Sequence, residues 1–238
     1  MNEQTMDQAL RQHGIQLNDD QKTQLNRYYE VLVDWNERMN LTAITERDAV
    51  YLKHFYDSLT AAFHFDFNRP LRVVDVGAGA GFPSLPLKIV FPKLDVTIVD
   101  SLNKRITFLN ALAEELRLTG VAFYHDRAEQ FAQRPEHREQ YDVAISRAVA
   151  RMPVLTELCL PLVKNGGTFI AMKASGAADE MKDGQKAVSL LGGKTTAEKT
   201  FALPEDGGDR TIIHVEKIKR TPKKYPRKAG TPNKQPIL

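Results

Sequence analysis

Hydrophobic positions in this chain first recur at helical spacing and later gather into short β-branched runs. Leu25, Tyr28, Leu32, Trp35 and Met39 fall three or four residues apart. That spacing predicts a helix from a cap at Asn18 or Asp19 through Met39. After a polar connection at 40–45, Val50, His54, Asp57 and Ala61 form one stripe, and Leu52, Phe55 and Leu59 form an apolar one beside it. A second helix is expected over 46–63. His54 and Asp57 stand three apart and can face each other, although such a pair more often serves as a structural hydrogen bond than as chemistry.

From residue 71 the pattern changes. Apolar runs at 71–76, 95–100, 121–125, 141–145 and 168–173 read as buried strands. Helical patterns lie between and after them, at 83–90, 103–117, 127–133, 153–163 and 177–190. Ser101 is the expected cap of the helix at 103, and Lys164-Asn165-Gly166-Gly167 the expected turn closing the one before 168. Two last strands, 194–201 and 210–218, have no helix between them and predict an antiparallel pair at the sheet edge. Strand–helix alternation of this kind makes an α/β protein.

The chemistry begins at Leu71-Arg-Val-Val-Asp-Val-Gly-Ala-Gly-Ala-Gly-Phe82, where a strand ends in Gly77, Gly79 and Gly81. Glycines there permit a sharp turn and a close approach of backbone to ligand. A dinucleotide fingerprint, G-x-G-x-x-G, needs glycine at position 82, which is Phe. Asp100 follows 23 residues after Gly77, at the end of the second strand, where a carboxylate can accept both hydroxyls of a ribose. G-x-G-x-G with this Asp resembles the class I S-adenosylmethionine-dependent methyltransferases. That resemblance implies a Rossmann-like, mostly parallel seven-stranded sheet, here with an N-terminal helical extension over 1–68, a methyltransferase domain over 69–218 and a tail over 219–238. The loop His125–Glu129, just past the third strand, can then reach the adenine. Ala128 would contribute backbone contacts and small size, and Glu129 an acceptor or only a helix cap. Arg147 could hold the methionine carboxylate or help fix the substrate, with a structural ion pair as the plainer alternative.

Composition narrows the setting. The single cysteine, Cys159, excludes an internal disulfide and a Cys-based metal cluster, as suits a reducing cytoplasm, and reads as a small core residue. No apolar run approaches the ~20 residues of a membrane span, and the polar first residues lack a signal-peptide core. The net charge of +3 conceals an asymmetry. Residues 217–234 hold Lys217, Lys219, Arg220, Lys223, Lys224, Arg227, Lys228 and Lys234 and no acid; without those eight, 25 basic residues stand against 30 acidic ones, a net of −5. An acid-free basic tail reads as an RNA clamp kept extended by its prolines, with Lys223, Lys224, Arg227 and Lys228 on phosphates and Tyr225 stacking on a base. A solvated terminus is the bland reading. Either way the tail is expected to be separable from the cofactor site.

Trp35–Thr42, Lys53–Ser58, Asp75–Ser84, Asp100–Arg105, His125–Glu129, Ser146–Arg151 and the tail's Lys-Lys-Tyr-Pro-Arg-Lys-Ala-Gly-Thr-Pro together resemble one bacterial family. It is the 16S ribosomal RNA guanine-N7 methyltransferases, also called glucose-inhibited division protein B. The resemblance implies cofactor contacts at Gly77, Phe82, Ala128, Glu129 and Arg147, to which the motif reading adds Gly79 and Asp100. It also implies one guanine of the 16S rRNA decoding region as target, met in the RNA or in a small-subunit assembly particle by a cytoplasmic, monomeric enzyme. Missing motifs agree. The chain lacks the Asp/Asn-Pro-Pro-aromatic motif of exocyclic-amine enzymes, and Cys159 is wrongly placed for a cytosine-C5 nucleophile. No residue is therefore expected as a general base, and no metal ligand set is expected. Two other readings stay open: an RNA-binding assembly protein without transfer activity, which cofactor binding would exclude, and a nicotinamide oxidoreductase, which Phe82 disfavours.

Overall fold

The β-branched runs all become strands of one sheet. In the computed structural model, which describes residues 1–174 and 177–238, these are β1 (Arg72–Val76), β2 (Asp95–Asp100), β3 (Val121–His125), β4 (Tyr141–Arg147), β5 (Val163–Lys173), β6 (Gly193–Ala202) and β7 (Asp209–Lys217). Their order across the sheet is β3-β2-β1-β4-β5-β7-β6. β1 to β5 pair in parallel, while β7 runs antiparallel between β5 and β6. The class I methyltransferase expectation holds, including the antiparallel edge. The order reverses between β1 and β4, and ligands of open α/β sheets bind outside the carboxyl ends of the strands at such a switch.

Ten helices are described: α1 (Glu3–Gln12), α2 (Asp19–Met39), α3 (Arg47–Val50), α4 (Asp57–Leu59), α5 (Ser84–Val90), α6 (Asn103–Glu115), α7 (Ala128–Phe131), α8 (Met152–Cys159), α9 (Ala177–Leu190) and α10 (Thr231–Lys234). Side chains of β1 alternate between two cores, as the strand period of two requires. Val73 joins a core with Leu10, Tyr28, Phe55, Leu85 and Leu109, so the N-terminal helices cover that face. Val74 and Val76 join the other, with Leu155, Cys159, Val188, Tyr225 and Ile237. The tail thus helps cover the second face. Burying each such large side chain contributes roughly 1.5–3 kcal/mol.

Several boundaries differ from expectation. Asn18 does cap α2, in a reciprocal capping box with Gln21. α1 was hidden because Met6 and Leu10 are its only buried apolar residues, too few for a period. The expected helix over 46–63 is helical throughout but not uniform: a π-turn, Tyr51–Tyr56, separates α3 from α4, and a 3₁₀ turn, Thr60–Phe63, closes it. Ser58 and Thr60 donate to the carbonyls of His54 and Asp57, side-chain competition of the kind that distorts helices. Ser101 does not cap α6: Leu102 stands at the N-cap with no side-chain cap, and Asp100 accepts from its N–H at 3.0 Å, fixing the turn that leads into the helix. The helix expected to reach 163 stops at Cys159, because Leu160-Pro161-Leu162 forms a 3₁₀ turn. Lys164–Gly167 then belongs to β5 as an irregularity opposite Tyr141–Val143 rather than to a helix cap.

Candidate functional site

The turn after β1 sets one wall of the site. Gly77 (φ +76°) and Gly79 (φ +61°) adopt the left-handed backbone that favours glycine. A side chain on Gly79 would meet nothing within 4 Å, so open space lies above it. Asp75, fully buried, accepts from the Ser84 N–H at 3.1 Å and ties the turn to α5. Burial pushes its carboxyl up to about 7. Asp100 is 3% exposed and accepts from the Gly79 and Leu102 N–H groups and from Arg105. Arg105 reaches both oxygens, so all of the about four acceptor sites of the carboxylate are met, and a ribose hydroxyl would take the place of one of these donors.

Gly77, Gly79, Phe82, Asp100, Ala128, Glu129 and Arg147, the seven residues singled out for the cofactor, line one cavity of about 440 Å³. Its size suits a nucleoside-bearing ligand. The open space over Gly79, the buried carboxylate at the end of β2 and the small Ala128 past β3 all fit S-adenosylmethionine.

At the opposite end from that loop, Arg147 lies over Phe82, its guanidinium 5.3 Å from the ring centre. Arg147 donates to Asp57 Oδ2 at 2.9 Å and to the Lys53 carbonyl at 3.0 Å. Asp57 is also held by Arg210 Nε at 2.8 Å, so one buried carboxylate bridges two arginines. The structural ion pair is therefore real, and Arg147 lines the cavity while making it. His54 and Asp57 do not pair as the sequence suggested; both turn toward Arg147. The His54 ring stacks on Phe82 at 4.5 Å, and its Nε2 shares a 2.9 Å hydrogen bond with the Thr42 hydroxyl. Leu41, Thr42 and His54 reach the cavity from the N-terminal extension, from the two stretches of it that carry the family resemblance, 35–42 and 53–58.

Burial, helped by the Arg147 charge, pulls His54 down to about 4. It should therefore stay neutral at neutral pH. The folded ring binds its proton only near pH 4, whereas the unfolded chain does so near 6.5. Between those values the unfolded chain holds more protons, so this group makes stability rise with pH. Asp75 acts oppositely below about 7, since its folded carboxyl keeps a proton that the unfolded one has lost. Comparison with His54→Phe, which keeps the stack, isolates the histidine. Wild type should gain stability on the variant as pH rises from 4 to 6.5, with the ring proton titrating by NMR near pH 4. A midpoint near 6.5 would contradict this account.

The tail is not extended. Arg138 donates to the carbonyls of Thr221, Pro222 and Tyr225, and Gln133 to that of Pro226. Tyr225 is 7% exposed, so its ring packs in the core instead of waiting for a base. Arg227 is bound through Nε and Nη2 to Glu157, which is fully buried, so its charge is committed. Lys223, Lys224 and Lys228 remain exposed. Nor is the tail separable from the cavity. Glu129 neither caps α7 nor stands free; it accepts from the Gly230 N–H at 2.8 Å, and Asn233 lines the cavity. Contacts of such sequence separation leave no trace in local pattern.

Comparison with known proteins agrees with this geometry. A family model for rRNA small subunit methyltransferase G matches residues 21–211. The chain is 60% identical to the ribosomal RNA small subunit methyltransferase G of an Exiguobacterium species over 100% of both chains. It is 62% identical to that of Geobacillus kaustophilus over 96% of both. A SAM dependent methyltransferase structure from Aquifex aeolicus shares the fold, with a TM-score of 0.53 and 16% identity over 71% of this chain and 93% of that one. With a full-length match at such identity, and the family's cofactor motifs gathered on one cavity, this chain belongs to the rRNA small subunit methyltransferase G family.

Proposed function

We propose that the protein transfers a methyl group from S-adenosylmethionine to N7 of one guanine in 16S ribosomal RNA. The observation that carries this is the gathering of Gly77, Gly79, Phe82, Asp100, Ala128, Glu129 and Arg147 on one cavity at the switch point of the sheet, in a member of this family. The bound cofactor supplies an electrophilic methyl on a sulfonium. Guanine N7 offers an in-plane lone pair and carries no hydrogen, so no group of the protein has to remove a proton. The task of the chain is to align two partners and to tolerate a positive charge that moves from sulfur to the base. Asp100 would fix the ribose, Ala128 and Glu129 the adenine side, and Arg147 the carboxylate end. Neutral His54, stacked on Phe82 beside Arg147, adds no second positive charge where the cationic product forms. The substrate would be 16S rRNA or a small-subunit assembly particle, and the protein a cytoplasmic monomer. Among the described residues no helix is long and apolar enough to cross a membrane.

The test is methylation of 16S rRNA or small-subunit particles from a strain lacking this protein, followed by borohydride reduction and aniline. Only N7-methylated guanine then breaks the chain, at one position. Mass mapping that places the methyl on another atom, with no scission, would refute the N7 assignment.

Exposed Lys223, Lys224 and Lys228 are the tail's candidates for phosphate contact. Changing all three to Gln should flatten the dependence of log affinity for RNA on log salt by about 2, at roughly 0.7 per contact on single strands. Affinity for S-adenosylmethionine should hold, because none of the three lines the cavity. An unchanged salt slope would move the RNA-binding face elsewhere.

A further inference from the structure

Asn233 stands at the rim of the cavity, near the end of the chain and far in sequence from every other residue that lines it. It is exposed, and its carboxamide has no hydrogen-bond partner among the described residues. Four interactions hold the segment that carries it. Gly230 N–H donates to Glu129 Oε1, Arg227 pairs with buried Glu157, Gln133 binds the Pro226 carbonyl, and Ile237 is buried. Asn233 is thus an idle amide on a fixed turn, beside the loop Asp126–Glu129 and facing the same space.

We propose that Asn233 is a base-reading residue of the cofactor site, and that the C-terminal turn is a wall of that site. This rests on the S-adenosylmethionine reading above. Adenine presents its N6 amino donor beside the N7 acceptor, and a carboxamide pairs with that edge through its oxygen and its NH₂ together. Hypoxanthine, with oxygen in place of the amino group, breaks the match at one of the two bonds. Glu129 lines the cavity and also holds Gly230, so ligand and tail share one carboxylate. Binding of the cofactor and docking of the tail are then linked, each favouring the other to the same degree.

Calorimetry with S-adenosylhomocysteine and S-inosylhomocysteine tests the contact, on wild type and on Asn233→Ala. The variant should bind S-adenosylhomocysteine about tenfold more weakly, as the loss of a pair of hydrogen bonds predicts, and prefer adenine over hypoxanthine by less than wild type does. Its melting temperature should match wild type, because the side chain supports nothing in the fold. Equal affinity and equal base preference in the two proteins would overturn the proposal. Wild type that bound neither ligand would instead remove the cofactor reading on which it stands. The linkage has its own readout: hydrogen exchange across residues 226–234 should slow when S-adenosylhomocysteine is added. Exchange in that segment unaffected by saturating ligand would show that the tail is no part of the site.

Discussion

Gly77→Val should abolish S-adenosylmethionine binding while leaving a folded protein. Gly77 has φ +76°, a conformation costing an L-residue roughly 1–2 kcal/mol, and a β-branched side chain tolerates it worst. A Cβ there would also come within 2.8 Å of Val149 Cγ2, driving that residue toward the cavity both line. The fold should survive because β1 keeps its parallel pairing through Val76 and its side chains stay in both cores. The expected result is near-normal circular dichroism, a modestly lower melting temperature, and affinity reduced by about 100-fold or more, equivalent to about 2.7 kcal/mol. A soluble variant that bound the cofactor normally would mean the loop only packs a helix on the sheet.

The second large effect is on stability. Arg227→Ala strips Glu157, a fully buried carboxylate, of its only charged partner among the described residues, leaving it the backbone N–H of residue 227. Breaking a buried pair in this way costs about 3–5 kcal/mol. Chemical denaturation should show a loss of that order, and limited proteolysis should cut first in the tail. A double variant, Glu157→Leu with Arg227→Met, replaces both charges with apolar volume and should recover most of the loss. If Arg227→Ala melted like wild type, the pair would contribute nothing to holding the tail. For the same reason Arg227 does not belong in any variant meant to probe RNA contact alone.

What the sequence disclosed and what it withheld divide along physical lines. β1 and β2 were legible because buried parallel strands are continuous β-branched runs ended by glycine or a polar loop, and β3, a half-buried edge strand, was legible by its place between a helix and the polar loop at 125–129. Asp100 and the glycine turn were legible because their spacing along the chain fixes their geometry. The break in the 46–63 helix was not, since stripes at three and four residues look alike whether or not one turn is widened. The tail misled most. Its charges are dense, but Lys217 is fully buried on the carbonyls of Leu160 and Val163, and Arg227 is consumed by Glu157. Composition counts cations without saying which already have partners, and the carboxylates and carbonyls answering them here, from Glu139 to Val163, lie far back in the chain. Asn233 carried no signal at all, and the spacing that flagged His54 pointed it at Asp57 rather than at Phe82 and Thr42, which it meets.

The widened turn at Tyr51–Tyr56 has a bearing on how the gene can change length. A π-turn holds one residue more than an α-turn, so the segment behaves as a helix carrying an insertion. Losing one codon there would let the wide turn close into ordinary α-turns with the residues after it nearly in place, whereas the same loss in a regular α-helix swings everything after it by about 100°. Asp57 would keep Arg147 and Arg210 in reach if the residue lost were the exposed Lys53, but loss of His54 would strip Phe82 of the ring stacked on it. A chain shortened at Lys53 alone should thus remain functional, whereas one shortened by a single residue inside the regular helix α2 should not.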